Sequence, residues 1–150
     1  MNLLLFTALD RQDGKHVLVT DRRLQHLLQV HGARVGDTLR VGELGGQMGA
    51  AEILEIDAAH ALLSVELNTQ PPAKLPLSLV LALPRPKMLR RILRAVAEFG
   101  VTELHLINSY RVEKSYWQTP ALELDTVREY LLLGLEQARD TVLPAIHYHR

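Results

Sequence analysis

Six basic residues and no acidic one lie between Leu67 and Ala97: Lys74, Arg85, Lys87, Arg90, Arg91 and Arg94. A guanidinium fork matches the oxygens of a phosphate, and no neighbouring carboxylate in this run neutralises the charge, so the chemistry on offer is polyanion binding. The competing reading is a solvated helix face, where arginine is a good helix former and lays its stem over apolar neighbours. The chain as a whole balances 17 basic against 17 acidic residues. Any nucleic-acid contact must therefore come from a local patch rather than from the global field. A second segment, Tyr110-Arg111-Val112-Glu113-Lys114-Ser115-Tyr116-Trp117, mixes cations with rings that could stack bases. Taken alone, it reads first as a loop pinned to a core by Tyr116 and Trp117.

Other chemistries are thinly represented. The chain has no cysteine, which removes disulfides, zinc thiolates and cysteine nucleophiles. Of seven histidines, His26 and His31 are close in sequence, and His147 and His149 alternate on an expected strand. Neither pair has a carboxylate at ligand spacing and no His-Glu-x-x-His occurs, so they read as structural or surface residues and no metal is expected. Gly42–Gly49 is glycine-rich but lacks the phosphate-loop lysine, and reads as a hairpin turn. No nucleophile elbow, dinucleotide glycine pattern or other catalytic constellation is visible.

The elements that would carry these residues fall into two styles. A hydrophobic content of 47% with 23% charged residues is that of a globular protein rather than a disordered one. Up to about residue 70 the chain reads as short strands (3–6, 16–20, 38–41, 51–56 and 61–67) separated by glycine and aspartate turns, the pattern of a small barrel. One helix interrupts them, capped by Thr20 or Asp21, striped by Leu24, Leu27, Leu28 and Val30 or His31, and ended by Gly32. Residues 71–76 form a stiff proline-rich linker. Residues 77–83 are nearly all apolar, as a strand buried on both faces would be. Pro86 then opens a helix with Leu89, Ile92, Leu93, Val96 and Phe99 on its core face, and Gly100 caps it. A strand at 103–107, a loop at 108–119, a helix at about 123–139 striped by Leu124, Val127, Leu131, Leu135 and Ala138, and a strand from Ala145 complete a parallel α/β pattern. No stretch has the apolar length of a membrane span, and the N-terminus lacks secretory-signal features, so a cytoplasmic protein is expected.

Several of these features in order resemble one family. They are His26-Leu27-Leu28-Gln29-Val30, Val35-Gly36-Asp37-Thr38-Leu39, the Lys87 helix ending Glu98-Phe99-Gly100-Val101, Arg111 after the next strand, and Glu136-Gln137 ahead of Pro144. The chain is similar over essentially its whole length to the RsmE family, the ribosomal RNA small-subunit methyltransferase E group. The resemblance implies a PUA-like RNA-binding β-barrel at 1–70, the linker at 71–76, and the first part of a SPOUT methyltransferase domain at 77–150. It implies N3-methylation of one uridine in small-subunit ribosomal RNA, S-adenosylmethionine as cofactor, and a homodimer acting on that RNA or the assembled small subunit. The glycine-rich segments that build the family's cofactor knot do not occur in these residues. The cofactor site is therefore expected in a C-terminal knot beyond Arg150, with no catalytic or cofactor-binding residue assigned here and the fragment inactive alone. The expected RNA contacts are Arg22, Arg23, Arg34, Arg85, Lys87, Arg90, Arg91, Arg111 and Lys114. A reading of a different class is a non-catalytic RNA-binding or ribosome-assembly module that uses no cofactor.

Overall fold

A computed structural model describes Met1–Arg150, and the chain divides into two compact units, Met1–Pro71 and Pro72–Arg150. The first is built on a five-stranded mixed sheet: β1 (Leu4–Phe6), β2 (His16–Val19), β3 (Thr38–Glu43), β4 (Met48–Ile56) and β5 (Ala61–Thr69), in the order β1-β3-β4-β5-β2. The sheet curls as a half-barrel, with β1 and β2 as its two edges. Register explains the core. Val17 pairs Leu63 and Val19 pairs Ala61, so the period-two alternation of both strands buries the same face. These residues join Phe6, Val41, Ile53, Leu24 and Leu27 in one apolar cluster.

Helix α1 (Arg22–Gln29) is capped by Asp21, whose side chain accepts the Arg23 N–H at 3.0 Å. Its buried stripe is shorter than the sequence suggests, because Val30 and His31 lie past the last turn and are exposed. The glycine-rich run is a hairpin between β3 and β4, closed by Glu43 N–H donating to the Gln47 carbonyl at 3.0 Å. Strand β4 begins at Met48, earlier than expected, with a register shift at Gly49 where an added Cβ would overlap the Glu66 carbonyl oxygen.

The second unit has a parallel three-stranded sheet of β6 (Leu75–Ala82), β7 (Val101–Ile107) and β8 (Ala145–His149), in sequence order. Helices α2 (Pro86–Glu98) and α3 (Leu124–Ala138) pack closely on each other. Leu89, Leu93, Leu104, Leu106 and Leu135 are fully buried. Gly100 adopts φ +70°, a left-handed geometry open to glycine at little cost, and turns the chain from α2 into β7.

Three apolar assignments are corrected. Strand β6 is not buried on both faces: it is an edge strand paired only with β7, and Leu75, Leu77 and Val80 are exposed. A single layer of helices leaves the other face of the sheet open, and the continuous apolar run gave no sign of that. Phe99, at the C-cap of α2, and Leu124, at the first position of α3, are also exposed rather than in their stripes. Helix ends rotate away from the seam that the mid-helix residues define.

Candidate nucleic-acid interface

The parallel register brings three strand ends level, with Ala82 opposite Ile107 and Ile107 opposite His149. Everything that follows β6, β7 and β8 in the chain therefore emerges along one edge, where ligand sites of open α/β sheets collect. After β6 comes the start of α2. Pro86 occupies its first turn and Arg85 its N-cap, with no side-chain cap bond, which leaves the positive end of the helix dipole facing outward. Arg85, Lys87, Met88 and Arg91 line an open recess of about 260 Å³ here. The side chains of Arg85, Lys87, Arg90 and Arg91 are exposed and make no ion pair or hydrogen bond within the chain.

The other two cations of the run are occupied. Lys74 Nζ lies 2.6 Å from Oδ2 of the buried Asp140, and Arg94 Nε lies 3.1 Å from Glu98 Oε1. The acid-free stretch thus resolves into four available cations and two structural ones.

After β7 comes the loop carrying Arg111 and Lys114, both exposed, and Tyr110, fully exposed. Trp117 is half-buried and its Nε1–H donates to Asn108 Oδ1 at 3.4 Å. Arg150, which follows β8, sits with its guanidinium carbon 5.7 Å from the Trp117 ring centroid, a cation–π contact that no local sequence pattern signals. Trp117, Thr119, Leu122, Leu124, Tyr148 and Arg150 line an open cavity of about 520 Å³, large enough for a nucleoside. Burial pushes the Tyr148 hydroxyl pKa up, so it stays a neutral donor.

Arg22 and Arg34 belong to the other unit. Arg22 opens α1, and Arg34 lies in the turn before β3, where its N–H donates to Asp37 Oδ2 at 2.8 Å. Arg23 is a correction. It is buried, and its guanidinium makes five hydrogen bonds inside the unit: two to Asp10, two to Asp21 and one to the Leu5 carbonyl. A guanidinium has five N–H donors, so none remains for a phosphate. Burial alone would raise the Asp10 pKa, but the Arg23 and Thr7 hydrogen bonds outweigh it and hold the carboxyl below its ordinary range. Asp21 is likewise lowered, first by its hydrogen bond from Arg23. Arg23 is a clamp within the fold, not an RNA contact.

A model of the RNA methyltransferase domain matches residues 71–150, more than half of the chain. The chain belongs to the RNA methyltransferase family. It is 34% identical over 148 residues to a ribosomal RNA small subunit methyltransferase E of Treponema pallidum, covering 97% of this chain and 56% of that relative. Among solved structures, ribosomal RNA small subunit methyltransferase E from Neisseria gonorrhoeae, bound to S-adenosyl methionine, aligns with TM-score 0.73 at 16% identity, over 99% of this chain and 62% of that one. A probable rRNA methyltransferase from Porphyromonas gingivalis aligns with TM-score 0.73 at 21% identity, over 97% and 60%. The chain therefore spans little more than half the length of the curated relative.

The RNA methyltransferase unit also holds a group that the sequence could not assemble. Glu103, His105, His147 and His149 share the open face of the sheet, with Glu103 Oε1 3.3 Å from His105 Nε2 and Glu103 Oε2 3.3 Å from His147 Nε2. The histidines had no carboxylate at ligand spacing in the chain. The missing partner comes from β7, placed beside β8 by a pairing of residues about 40 positions apart.

Proposed function

We propose that this chain is the RNA-facing part of a uridine-N3 methyltransferase of small-subunit ribosomal RNA, dependent on S-adenosylmethionine, cytoplasmic and working as a homodimer. The observation that carries the reading is that four unpaired cations follow β6 while an aromatic cavity follows β7 and β8, the carboxyl ends of the three parallel strands standing level. Arg85, Lys87, Arg90 and Arg91 would hold phosphates, with Arg111 and Lys114 extending the track across the next loop. Trp117 and Arg150 would offer a stacking surface to a base taken out of its helix. Arg22 and Arg34 would supply phosphate contacts from the half-barrel. Within this reading Met1–Pro71 serves as the PUA-like RNA-binding unit and the remainder as the beginning of a SPOUT domain.

The reaction places a methyl group on a ring nitrogen that must shed its proton, so the cation-rich edge would favour the deprotonated, anionic form of the base. S-adenosylmethionine supplies the methyl group from a cationic sulfonium. The exposed groups at this edge do not fit that cofactor, because four unpaired cations repel a sulfonium while attracting phosphate. The reading therefore assigns the cofactor to residues outside this chain, in the knot expected beyond Arg150, and expects no methyl transfer by the fragment alone.

The test is the salt dependence of binding to small-subunit ribosomal RNA. An Arg85→Ala/Lys87→Ala/Arg91→Ala variant is expected to bind more weakly and to flatten the slope of log K against log salt by about 2–3, roughly 0.7–0.9 for each phosphate no longer neutralised. Arg94→Ala, whose side chain is already taken by Glu98, leaves the slope within error. Equal slopes for the triple variant and the parent chain would overturn the assignment. Calorimetry with S-adenosylmethionine on the complete protein separates the enzyme from a cofactor-free RNA-binding module.

A further inference from the structure

We propose that Glu103, His105 and His147 form a binding site for a divalent transition-metal ion, zinc being the ion used as probe, on the open face of the β6-β7-β8 sheet. One carboxylate and two imidazoles from two adjacent strands offer atoms that all lie within 4.8 Å of one another. Each Nε2 stands 3.3 Å from a different oxygen of the Glu103 carboxylate. Ligands about 2.0–2.1 Å from a tetrahedral zinc are themselves about 3.4 Å apart; the two Glu103–histidine pairs stand at that spacing, and a small closing movement within the 4.8 Å triad would bring all three ligands onto one ion. The site is set by secondary structure rather than by loop geometry. Glu103 and His105 are two apart on β7 and so share a face, and the parallel register puts His147 directly opposite His105, with ring centroids 4.5 Å apart.

Each of the two β7 ligands also has an outer partner. Ser78 Oγ donates to Glu103 Oε1 at 2.5 Å, and His105 Nδ1 lies 2.9 Å from His149 Nε2. Metal sites hold their ligands by this kind of arrangement, which orients the imidazole, and a His105 that donates its Nδ1–H to His149 presents its Nε2 lone pair to an ion. Imidazole and carboxylate together suit zinc, copper or nickel rather than calcium or magnesium. With three protein ligands, a fourth position stays open to water or to a group from another molecule. A bound ion would clip β8, an edge strand paired only with β7, to the centre of the sheet. The site is distinct from the cationic edge: its ligands lie on the open face of the sheet, and Arg85–Arg91 follow the end of β6.

The test is a zinc titration of tag-free chain by calorimetry, with thermal unfolding read in parallel. One zinc per chain and a zinc-dependent rise in Tm are expected. His147→Gln and Glu103→Gln each lower affinity at least tenfold, and Ser78→Ala by about tenfold, as outer-partner changes do. His147 is exposed, so its variant keeps the fold even where Glu103→Gln does not. His60→Gln is the control. His60 stands near Glu55 and Asp57 in the other unit, at 3.2 and 3.4 Å, and its replacement leaves zinc affinity unchanged. The proposal is overturned by no saturable binding below about 1 mM, by affinity unchanged in His147→Gln, or by affinity abolished in His60→Gln.

Discussion

An Arg23→Met variant is expected to lose about 3–5 kcal/mol of stability, the cost of breaking a buried ion pair by removing one partner. Methionine keeps the apolar stem and packs without strain, so the loss isolates the charge. Asp10 decides the size of the effect. Its side chain is 18% exposed, against 53% for Asp21, so water can replace the arginine at Asp21 but hardly at Asp10. The Leu5 carbonyl, which accepts from Arg23 at 2.9 Å, loses its side-chain donor as well. For a chain of this length such a loss lowers Tm by roughly 10 °C.

The pH dependence follows from the direction of the shifts. Asp10 and Asp21 have folded-state pKa values below their ordinary values. Their contribution is therefore present above the unfolded pKa, about 3.9, and is lost as pH falls through the depressed folded values. In the variant the stranded Asp10 carboxylate is relieved by protonation. Urea unfolding should then show a gap between parent and variant that is widest near neutrality and narrows below about pH 4. A gap of constant size from about pH 6 to about pH 3 would rule out an ionic origin.

Gly134→Ala is expected to destabilise the chain, against the sign that helix propensity gives. In an open helix interior this change stabilises by about 1 kcal/mol. Gly134 is buried where α3 meets α2, and an added Cβ would overlap the Arg94 carbonyl oxygen and lie 2.7 Å from the Ala97 Cβ. The obstacle is backbone, which cannot rotate aside, so the helices must separate and their packing loosens. Overpacking costs about 1–3 kcal/mol, and a collision with backbone puts this case near the upper end, so after the propensity gain of about 1 kcal/mol the net loss is about 1–2 kcal/mol. Gly134→Val should cost more. An added Ala97→Gly change removes only one of the two collisions, so it restores stability in part. Chemical denaturation decides the matter: a Gly134→Ala chain that unfolds at higher urea than the parent would show that the seam can yield.

These two sites mark where the sequence stops being readable. Helices α1, α2 and α3 and most strands were legible because their apolar spacing is local, and Asp21, Pro86 and Gly100 announce helix ends by their own chemistry. The basic run was legible as charge. Its division was not, since whether Lys74 is free depends on Asp140, 66 positions away. Arg23 looked like its neighbour Arg22, and the bonds that occupy its guanidinium come largely from Asp10 and the Leu5 carbonyl, which lie 13 and 18 positions away. The histidine face was hidden for the same reason: period two places His147 and His149 on one side of β8 but says nothing about what β7 lays beside them. Local pattern thus gives elements and candidate charges, and long-range pairing decides which charges are spent.

Strand β6 has a consequence for how the chain behaves in solution. Leu77–Ala82 is six residues long, without a charge, and sits at an edge with one row of backbone N–H and C=O groups unpaired. That is the length and composition at which strands begin to stack on copies of themselves. Natural sheets flank such segments with cations, and here Lys74 is tied to Asp140, which leaves Arg85 and Lys87 as the guards. The groups expected to grip phosphate would then also keep the chain dispersed, and RNA would screen that protection as it binds.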